Sequence, residues 1–175
     1  SWGSNTFGQL GDASTTQATA PVPVDENGVL AGKTVVASAA GMEHTLALCS
    51  DGTLAAWGSN AFGQLGNNSA QPSSIPVVVD ASGVLVGKTV IALAAGFEHS
   101  LVLCSDGSLA AWGNNTSGQL GNNTTTASPV PVAVHQTGAL AGRSVIAIYA
   151  GQYHNLALCA DGTLAAWGSN SLGQL

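Results

Sequence analysis

Charged residues are scarce in this sequence, and cations are the scarcest. Among 175 residues there are 3 Lys and Arg against 9 Asp and Glu, for a formal net charge of −6. Binding to a phosphate backbone needs clustered Lys and Arg, and attraction to an anionic membrane needs a polybasic segment. The composition therefore predicts neither a nucleic-acid partner nor a membrane partner.

Long apolar runs are missing as well. None approaches the ~18 residues that a membrane-spanning helix needs, and no secretory signal peptide is visible. The chain begins at Ser1, in the middle of a repeat, without a methionine. Such a start is typical of a fragment, a processed product or a designed excerpt, so the missing signal defines no compartment.

Cysteine is rare, and its three copies are regularly spaced. Cys49, Cys104 and Cys159 stand 55 residues apart. Equivalent positions of successive repeats lie one repeat spacing apart, which exceeds the Cα separation of ~6 Å that a disulfide needs. The spacing therefore predicts three buried free thiols that act as small apolar side chains.

The sequence does contain a strict repeat of 55 residues. Tryptophan recurs at this step, and so do a histidine, an Asp-Gly pair and a cation. The members are Trp2, Trp57, Trp112 and Trp167; His44, His99 and His154; Asp51, Asp106 and Asp161; and Lys33, Lys88 and Arg143. Such a period indicates a propeller, solenoid or array. We divide the single segment 1–175 into repeats 2–56, 57–111 and 112–166 with a partial repeat 167–175.

Each repeat contains a β-hairpin that is apolar on both faces. In the second repeat, the apolar runs 100–104 and 109–112 flank Asp106-Gly107, which is typical of a two-residue type I′ turn. That turn places Cys104 opposite Leu109 and Leu101 opposite Trp112. Because both faces of the hairpin are apolar, it must be covered on both sides, as a propeller blade is covered by its two neighbours.

A proline-bearing run follows each hairpin. Pro129 and Pro131 alternate with valines. Proline cannot donate to a strand ladder, so this run is predicted to be the outer strand of its sheet. The expected fold class is therefore all-β, a β-propeller of four-stranded blades with about three blades per chain.

The repeat resembles the RCC1 (regulator of chromosome condensation) family. The family pattern is Gly-x-x-His, Asp-Gly and Trp-Gly followed by Asn-x-x-Gly-Gln-Leu-Gly, and here it is present as residues 41–44, 51–52 and 57–66 and twice more in register. The motif residues are His44, His99, His154, Asp51, Asp106, Asp161, Trp57, Trp112, Trp167, Gln64 and Gln119. Family members form propellers, commonly of seven blades. The constant spacing is similar to arrays in secreted or surface-exposed bacterial proteins, which suggests a secreted or cell-surface location.

The resemblance implies binding rather than catalysis. The founding member is a nucleotide exchange factor for a small GTPase that uses an inserted β-wedge and a basic tail, and this chain has neither. Another relative inhibits β-lactamases through loops of one propeller face. We therefore expect a non-catalytic structural or protein-binding module, with an exchange factor and an enzyme inhibitor as alternatives. Met42, Phe97 and Tyr153 are the side chains that suit a face for a protein partner.

Other chemical interpretations of the recurring residues are less favoured. A ring of three histidines suits zinc, but the family resemblance favours histidines that tie down their own turns through backbone hydrogen bonds. A Cys49, His44 and Asp51 group would recur in every repeat, whereas a catalytic group occurs once. The cations are expected in solvated loops. No enzyme activity, cofactor or metal is predicted.

Three blades form an open arc with two uncovered apolar faces, and such faces associate. Residues 1–10 and 166–175 carry the same part of the repeat. We therefore predict that the chain pairs with itself, as a homodimer that closes a six-bladed ring or as a larger ring.

Overall fold

A computed structural model describes all residues, 1–175, as eleven strands with two short 3-10 helices. The strands are β1 Val35–Ala40, β2 His44–Cys49, β3 Leu54–Gly58, β4 Ser73–Val78, β5 Val90–Ala95, β6 His99–Cys104, β7 Leu109–Gly113, β8 Ser128–Ala133, β9 Val145–Ala150, β10 His154–Cys159 and β11 Leu164–Gly168. The 3-10 helices are Gly28–Leu30 and Gly138–Leu140. Neither is long and apolar enough to span a bilayer.

The strands form three antiparallel meanders, which are the expected propeller blades. Blade 1 has the order β1-β2-β3-β4 and blade 2 the order β5-β6-β7-β8, while blade 3 has only β9, β10 and β11. The first strands of successive blades contact one another, so they lie nearest the common axis. The proline-bearing strands β4 and β8 are outermost, as the sequence predicted.

The hairpin register predicted from the sequence is wrong by one residue. Leu109 pairs with Leu103, and Trp112 pairs with Ser100. The cause is a three-residue turn, in which the Cys104 N–H donates to the Ser108 carbonyl and Gly107 alone adopts a positive φ, of 82°. Trp112 consequently shares a sheet face with Ser100, instead of the face that carries Leu101.

The core lies between blades rather than within one. At each junction, the leucine-rich face of one blade packs against the face of the next blade that carries the cysteine and the tryptophan. At the first junction the contributors are Leu46, Leu48, Leu54 and Ala56 of blade 1 and Val102, Cys104, Ala110 and Trp112 of blade 2. At the second they include Leu101, Leu103, Leu109 and Ala111 of blade 2 and Ala157, Cys159 and Ala165 of blade 3. The three cysteines are buried free thiols.

Residues 1–24, the N-terminal segment, repeat the part of a blade that follows the tryptophan. Gly3 forms a bridge with Ala18, as Gly58 pairs with Ser73. The segment lies on blade 1, where the Gln9 carbonyl accepts hydrogen bonds from Trp57 and from another blade 1 side chain. Residues 18–23 therefore correspond to the outer strand of a preceding blade.

Candidate functional site

The recurring histidines bridge adjacent blades. His44 Nε2 lies 2.9 Å from Ser100 Oγ, and His99 Nε2 lies 2.9 Å from Asn155 Oδ1. The expectation that each histidine bonds to the backbone of its own turn is wrong, because both Nδ1 atoms are buried without a partner. The ring crosses to the neighbouring blade instead.

The protonation state of these histidines follows from their partners. The Ser100 hydroxyl donates to the Gln64 carbonyl at 2.8 Å, so its oxygen accepts from His44 Nε2–H. The Asn155 amide donates to the Gln119 carbonyl at 2.7 Å, which leaves Oδ1 to accept from His99. His44 and His99 therefore carry a proton on Nε2, and their buried Nδ1 atoms have no hydrogen-bond partner.

Tryptophan completes the bridge. Trp112 Nε1 donates to the Gln64 carbonyl at 2.9 Å, beside the hydroxyl of Ser100. We call this group of His44, Ser100, Gln64 and Trp112 the interblade latch, and His99, Asn155, Gln119 and Trp167 form its second copy. The latch links two blades and the loop between them through buried hydrogen bonds.

Burial keeps the latch histidines neutral. Desolvation, with a smaller contribution from His99, lowers the pKa of His44 to about 3. Desolvation also lowers the pKa of His99, and the hydrogen bond to Asn155 opposes this effect. The ring of His44 packs on Gly41, where a Cβ would stand 2.6 Å from Cε1, so the Gly-x-x-His spacing makes room for the imidazole.

The residues that could support chemistry do not converge. His44 and Cys49 occupy opposite ends of β2, and burial raises the pKa of the Cys49 thiol, with a further upward effect of Asp51. No group of three or more His, Cys, Asp or Glu side chains is placed to hold a metal ion. A neutral histidine bound to the next blade suits a structural role.

The loop after each tryptophan is shaped by the buried asparagine of the Asn-x-x-Gly-Gln-Leu-Gly pattern, for which the sequence alone indicated no role. Asn60 Nδ2 donates to the carbonyls of Ser69 and Gln71 at 3.0 and 2.9 Å, and its Oδ1 accepts from the Leu65 N–H at 2.9 Å. The Gln64 side chain accepts from the Phe62 N–H. The 55-residue recurrence of this asparagine is the sequence signal for its structural role.

Each cation lies in a solvent-accessible loop, as expected, and is in addition paired with the aspartate of its repeat. Lys33 pairs with Asp51, Lys88 Nζ lies 2.7 Å from Asp106 Oδ2, and Arg143 Nε lies 2.9 Å from Asp161 Oδ2. The hydrogen bond from Lys33 is the largest cause that lowers the pKa of Asp51, to about 2. The three pairs leave six of the nine carboxylates without a cationic partner.

The candidate partner residues lie at one end of the blades. Met42, Phe97 and Tyr153 belong to the turns 41–43, 96–98 and 151–153, which join the first two strands of each blade and which we call the turn face. The rings of Phe97 and Tyr153 have centroids 5.4 Å apart, and Met42 is 58% exposed. Glu43 and Glu98 lie in the same turns, so this apolar patch is also acidic.

The two ends of the arc differ in how far they are covered. At blade 1, which presents the leading face, the expected uncovered apolar face is not present, because Ala47, Ala55 and Trp57 are buried together with Leu30. A trough of about 880 Å³ lies between this face and the N-terminal segment. At blade 3, which presents the trailing face, Leu164 is 58% exposed, whereas its equivalents Leu54 and Leu109 are buried.

Repeated four-stranded sheets, covered face to face and linked by histidine and tryptophan, define the chain as an arc of β-propeller blades. Two family models described as Regulator of chromosome condensation (RCC1) repeat match it, one over residues 1–48, 51–103 and 106–158 and the other over 35–64, 90–119 and 145–174. The chain belongs to the RCC1 repeat family.

Individual relatives support this assignment. The Ultraviolet-B receptor UVR8 of Arabidopsis thaliana is 33% identical over 100% of this chain and 38% of its own length. The probable E3 ubiquitin-protein ligase HERC6 of Homo sapiens is 34% identical over 100% of this chain and 16% of its own length. The chain therefore spans well under half of these relatives.

Solved structures show the same fold. Prp20p of Saccharomyces cerevisiae, described with its binding to Gsp1p and histones, superposes with a TM-score of 0.82 at 26% identity, covering 97% of this chain and 41% of that one. Human WBSCR16 gives a TM-score of 0.78 at 28% identity, covering 94% of this chain and 40% of that one.

Proposed function

We propose that the chain is a non-catalytic structural and protein-binding segment of a β-propeller that completes its ring with further blades. The exposed trailing face of blade 3 carries this proposal. Inside the chain, the same leucine face is always buried against the same tryptophan face. The trailing face of blade 3 lacks this cover, with Leu164 58% exposed, and is therefore a surface for association.

Uniformity of the repeats supports a role without catalysis. The latch is present twice, with a buried histidine and a tryptophan donor in equivalent positions. Catalytic groups require one site with a perturbed, accessible acid, base or nucleophile, whereas His44 is fully buried and committed to Ser100. The recurring polar residues hold blades together.

The turn face is the surface that we assign to a protein partner. It presents Met42, Phe97 and Tyr153 beside Glu43 and Glu98, so it suits a partner with an apolar anchor and cationic side chains. Relatives whose descriptions include protein binding, such as Prp20p with Gsp1p and histones, support a binding role in general.

Association through the ends is tested by the molar mass in solution, measured by light scattering after size exclusion. We expect the unchanged chain to show a multiple of 17.2 kDa. Leu164→Glu should lower that mass, because it charges the trailing face at a position already 58% exposed in the single chain. Val86→Glu is the control, since Val86 is 64% exposed in a loop away from both end faces.

A monomeric mass for the unchanged chain at micromolar concentration would contradict ring completion by association. Equal masses for Leu164→Glu and Val86→Glu would show that the trailing face takes no part in it.

A further inference from the structure

We propose that Phe97, Tyr153 and Glu98 form a subsite of the turn face that binds an arginine side chain of a protein partner, and that Asn114 positions Glu98 for it. The inference rests on the proposed function, in which the turn face binds a protein, and names the side chain that this surface recognises. Positions at which the 55-residue repeat departs from its own pattern lie together at this subsite.

An aromatic pair lies at the junction of blades 2 and 3. The turns of blades 1 and 2 carry a glutamate before the histidine, at Glu43 and Glu98, but blade 3 carries Tyr153 there. The Phe97 N–H donates to the Gln152 carbonyl at 3.1 Å, which holds the two turns side by side. The rings of Phe97 and Tyr153 have centroids 5.4 Å apart, and both residues are half-buried. The pair therefore presents ring surface that a ligand can reach.

Glu98 is oriented by a residue that also departs from the repeat. Three of the four loops that follow a tryptophan have serine at their second position, whereas the loop of blade 2 has Asn114. Asn114 Nδ2 donates to Glu98 Oε2 at 2.8 Å, and Asn114 Oδ1 accepts from the Thr116 N–H at 2.8 Å. Because Asn114 is buried, at 4% exposure, it fixes the carboxylate in one direction and leaves Glu98 Oε1 to accept from a ligand.

Holding Glu98 leaves a buried group unsatisfied. In blade 1, Gln64 Nε2 donates to Ser59 Oγ at 3.2 Å. In blade 2, Asn114 replaces that serine and its oxygen is already bonded, so Nε2 of the equivalent Gln119 is buried without a partner. A buried donor without an acceptor destabilises the fold, and such departures from local satisfaction are typical of functional sites. The asparagine therefore orients a carboxylate at the expense of stability.

No Lys or Arg of the chain competes for this carboxylate. Lys33, Lys88 and Arg143 pair with the aspartates of the second hairpin turn in each blade. Those turns lie at the opposite ends of β2, β6 and β10 from the turn face. Glu43 and Glu98 thus give the turn face a negative charge that calls for a cationic ligand.

Arginine satisfies both parts of the subsite at once. Its planar guanidinium stacks on an aromatic ring and donates to a carboxylate from the edge of the same plane. Lysine carries a compact, strongly hydrated ammonium that cannot stack in this way. Because Glu98 follows Phe97 in the same turn, one arginine of a partner can lie on the aromatic pair and donate to Glu98 Oε1.

NMR titration with the peptide acetyl-Gly-Arg-Gly-amide tests the subsite. We expect saturable shifts of the ring protons of Phe97 and Tyr153, and much smaller shifts with the same peptide carrying citrulline, which has the shape of arginine without its charge. Glu98→Gln should weaken binding roughly tenfold, because it removes a charge-assisted hydrogen bond. Glu43→Gln is the matched control in blade 1 and should change the affinity by less than about twofold.

Asn114→Ser separates recognition from stability. Serine restores the residue of the other copies, so it should give Gln119 a partner and raise the melting temperature. It also releases Glu98 and should weaken binding of the arginine peptide roughly threefold. An asparagine with a purely structural role would show the reverse, a lower melting temperature and an unchanged affinity, and that result would overturn its positioning role.

No saturable shift up to about 10 mM peptide would overturn the subsite, since a stacked and hydrogen-bonded cation should bind within this range. Equal affinity for the arginine and citrulline peptides, or equal losses in Glu98→Gln and Glu43→Gln, would overturn it as well. None of these outcomes alters the molar mass of the unchanged chain, so the association through the trailing face would stand. Arginine binding together with a monomeric mass would support the subsite and contradict the association.

Discussion

Acid should destabilise the protein through its buried histidines. His44 keeps its ordinary pKa of 6.5 in the unfolded chain, but burial lowers that pKa to about 3 in the folded chain. Between these two pH values the unfolded chain binds a proton that the folded chain does not. The free energy of unfolding therefore rises with pH across this window. The contribution of His44 to it is fully present above pH 6.5 and is lost progressively as the pH falls toward 3.

The magnitude follows from the distance between the two pKa values. One pKa unit corresponds to about 1.4 kcal/mol, so lowering the pH from 7 to 5 should cost about 2 kcal/mol through His44 alone. His99 acts in the same direction because its pKa is also lowered by desolvation. Protonation would also add a buried N–H donor without an acceptor to the latch, since His44 Nδ1 has no hydrogen-bond partner.

Urea unfolding at pH 7 and pH 5, followed by tryptophan fluorescence at one protein concentration, measures this effect. Between pH 7 and pH 5, the free energy of unfolding of His44→Gln should fall by about 2 kcal/mol less than that of the unchanged chain. His135→Gln is the control, since His135 is exposed, and it should behave like the unchanged chain. If His44→Gln kept the full pH dependence, the buried neutral histidine would not be its source.

Further predictions concern the latch and its packing. Trp112→Phe removes the donor to Gln64 and leaves a void in a fully buried site. Urea unfolding should therefore show a free energy of unfolding lower by about 2 kcal/mol. An unchanged free energy of unfolding would mean that this hydrogen bond and its packing are dispensable. Gly41→Ala places a Cβ 2.6 Å from the His44 ring and should lower the melting temperature, whereas Gly83→Ala meets nothing within 4 Å and should not. Similar melting temperatures for both variants would refute the close approach.

Much of the fold could be predicted from the sequence because the repeat is strict. The 55-residue step, the apolar hairpins and the prolines of the outer strand indicate blades with the correct strand order. The hairpin register could not be read, because Asp-Gly suits a two-residue turn and also a three-residue turn in which only Gly107 has positive φ.

The contacts of the latch were harder to predict than the blades. The partner of each histidine lies on the next blade, 56 residues away, and its side chain differs between copies, Ser100 in one and Asn155 in the other. No local pattern links such positions. The ion pairs were also missed, because Lys88 and Asp106 are 18 residues apart and meet only when the hairpin folds beside the preceding loop.

The junction between chains is tested most directly by a crystal structure of the associated protein. The blade arrangement predicts that Leu156, Leu158 and Leu164 of blade 3 are buried against a further blade, as the equivalent leucines of blade 1 are buried against blade 2. Copies joined through the turn face around Met42, or arcs with the trailing face open to solvent, would contradict it.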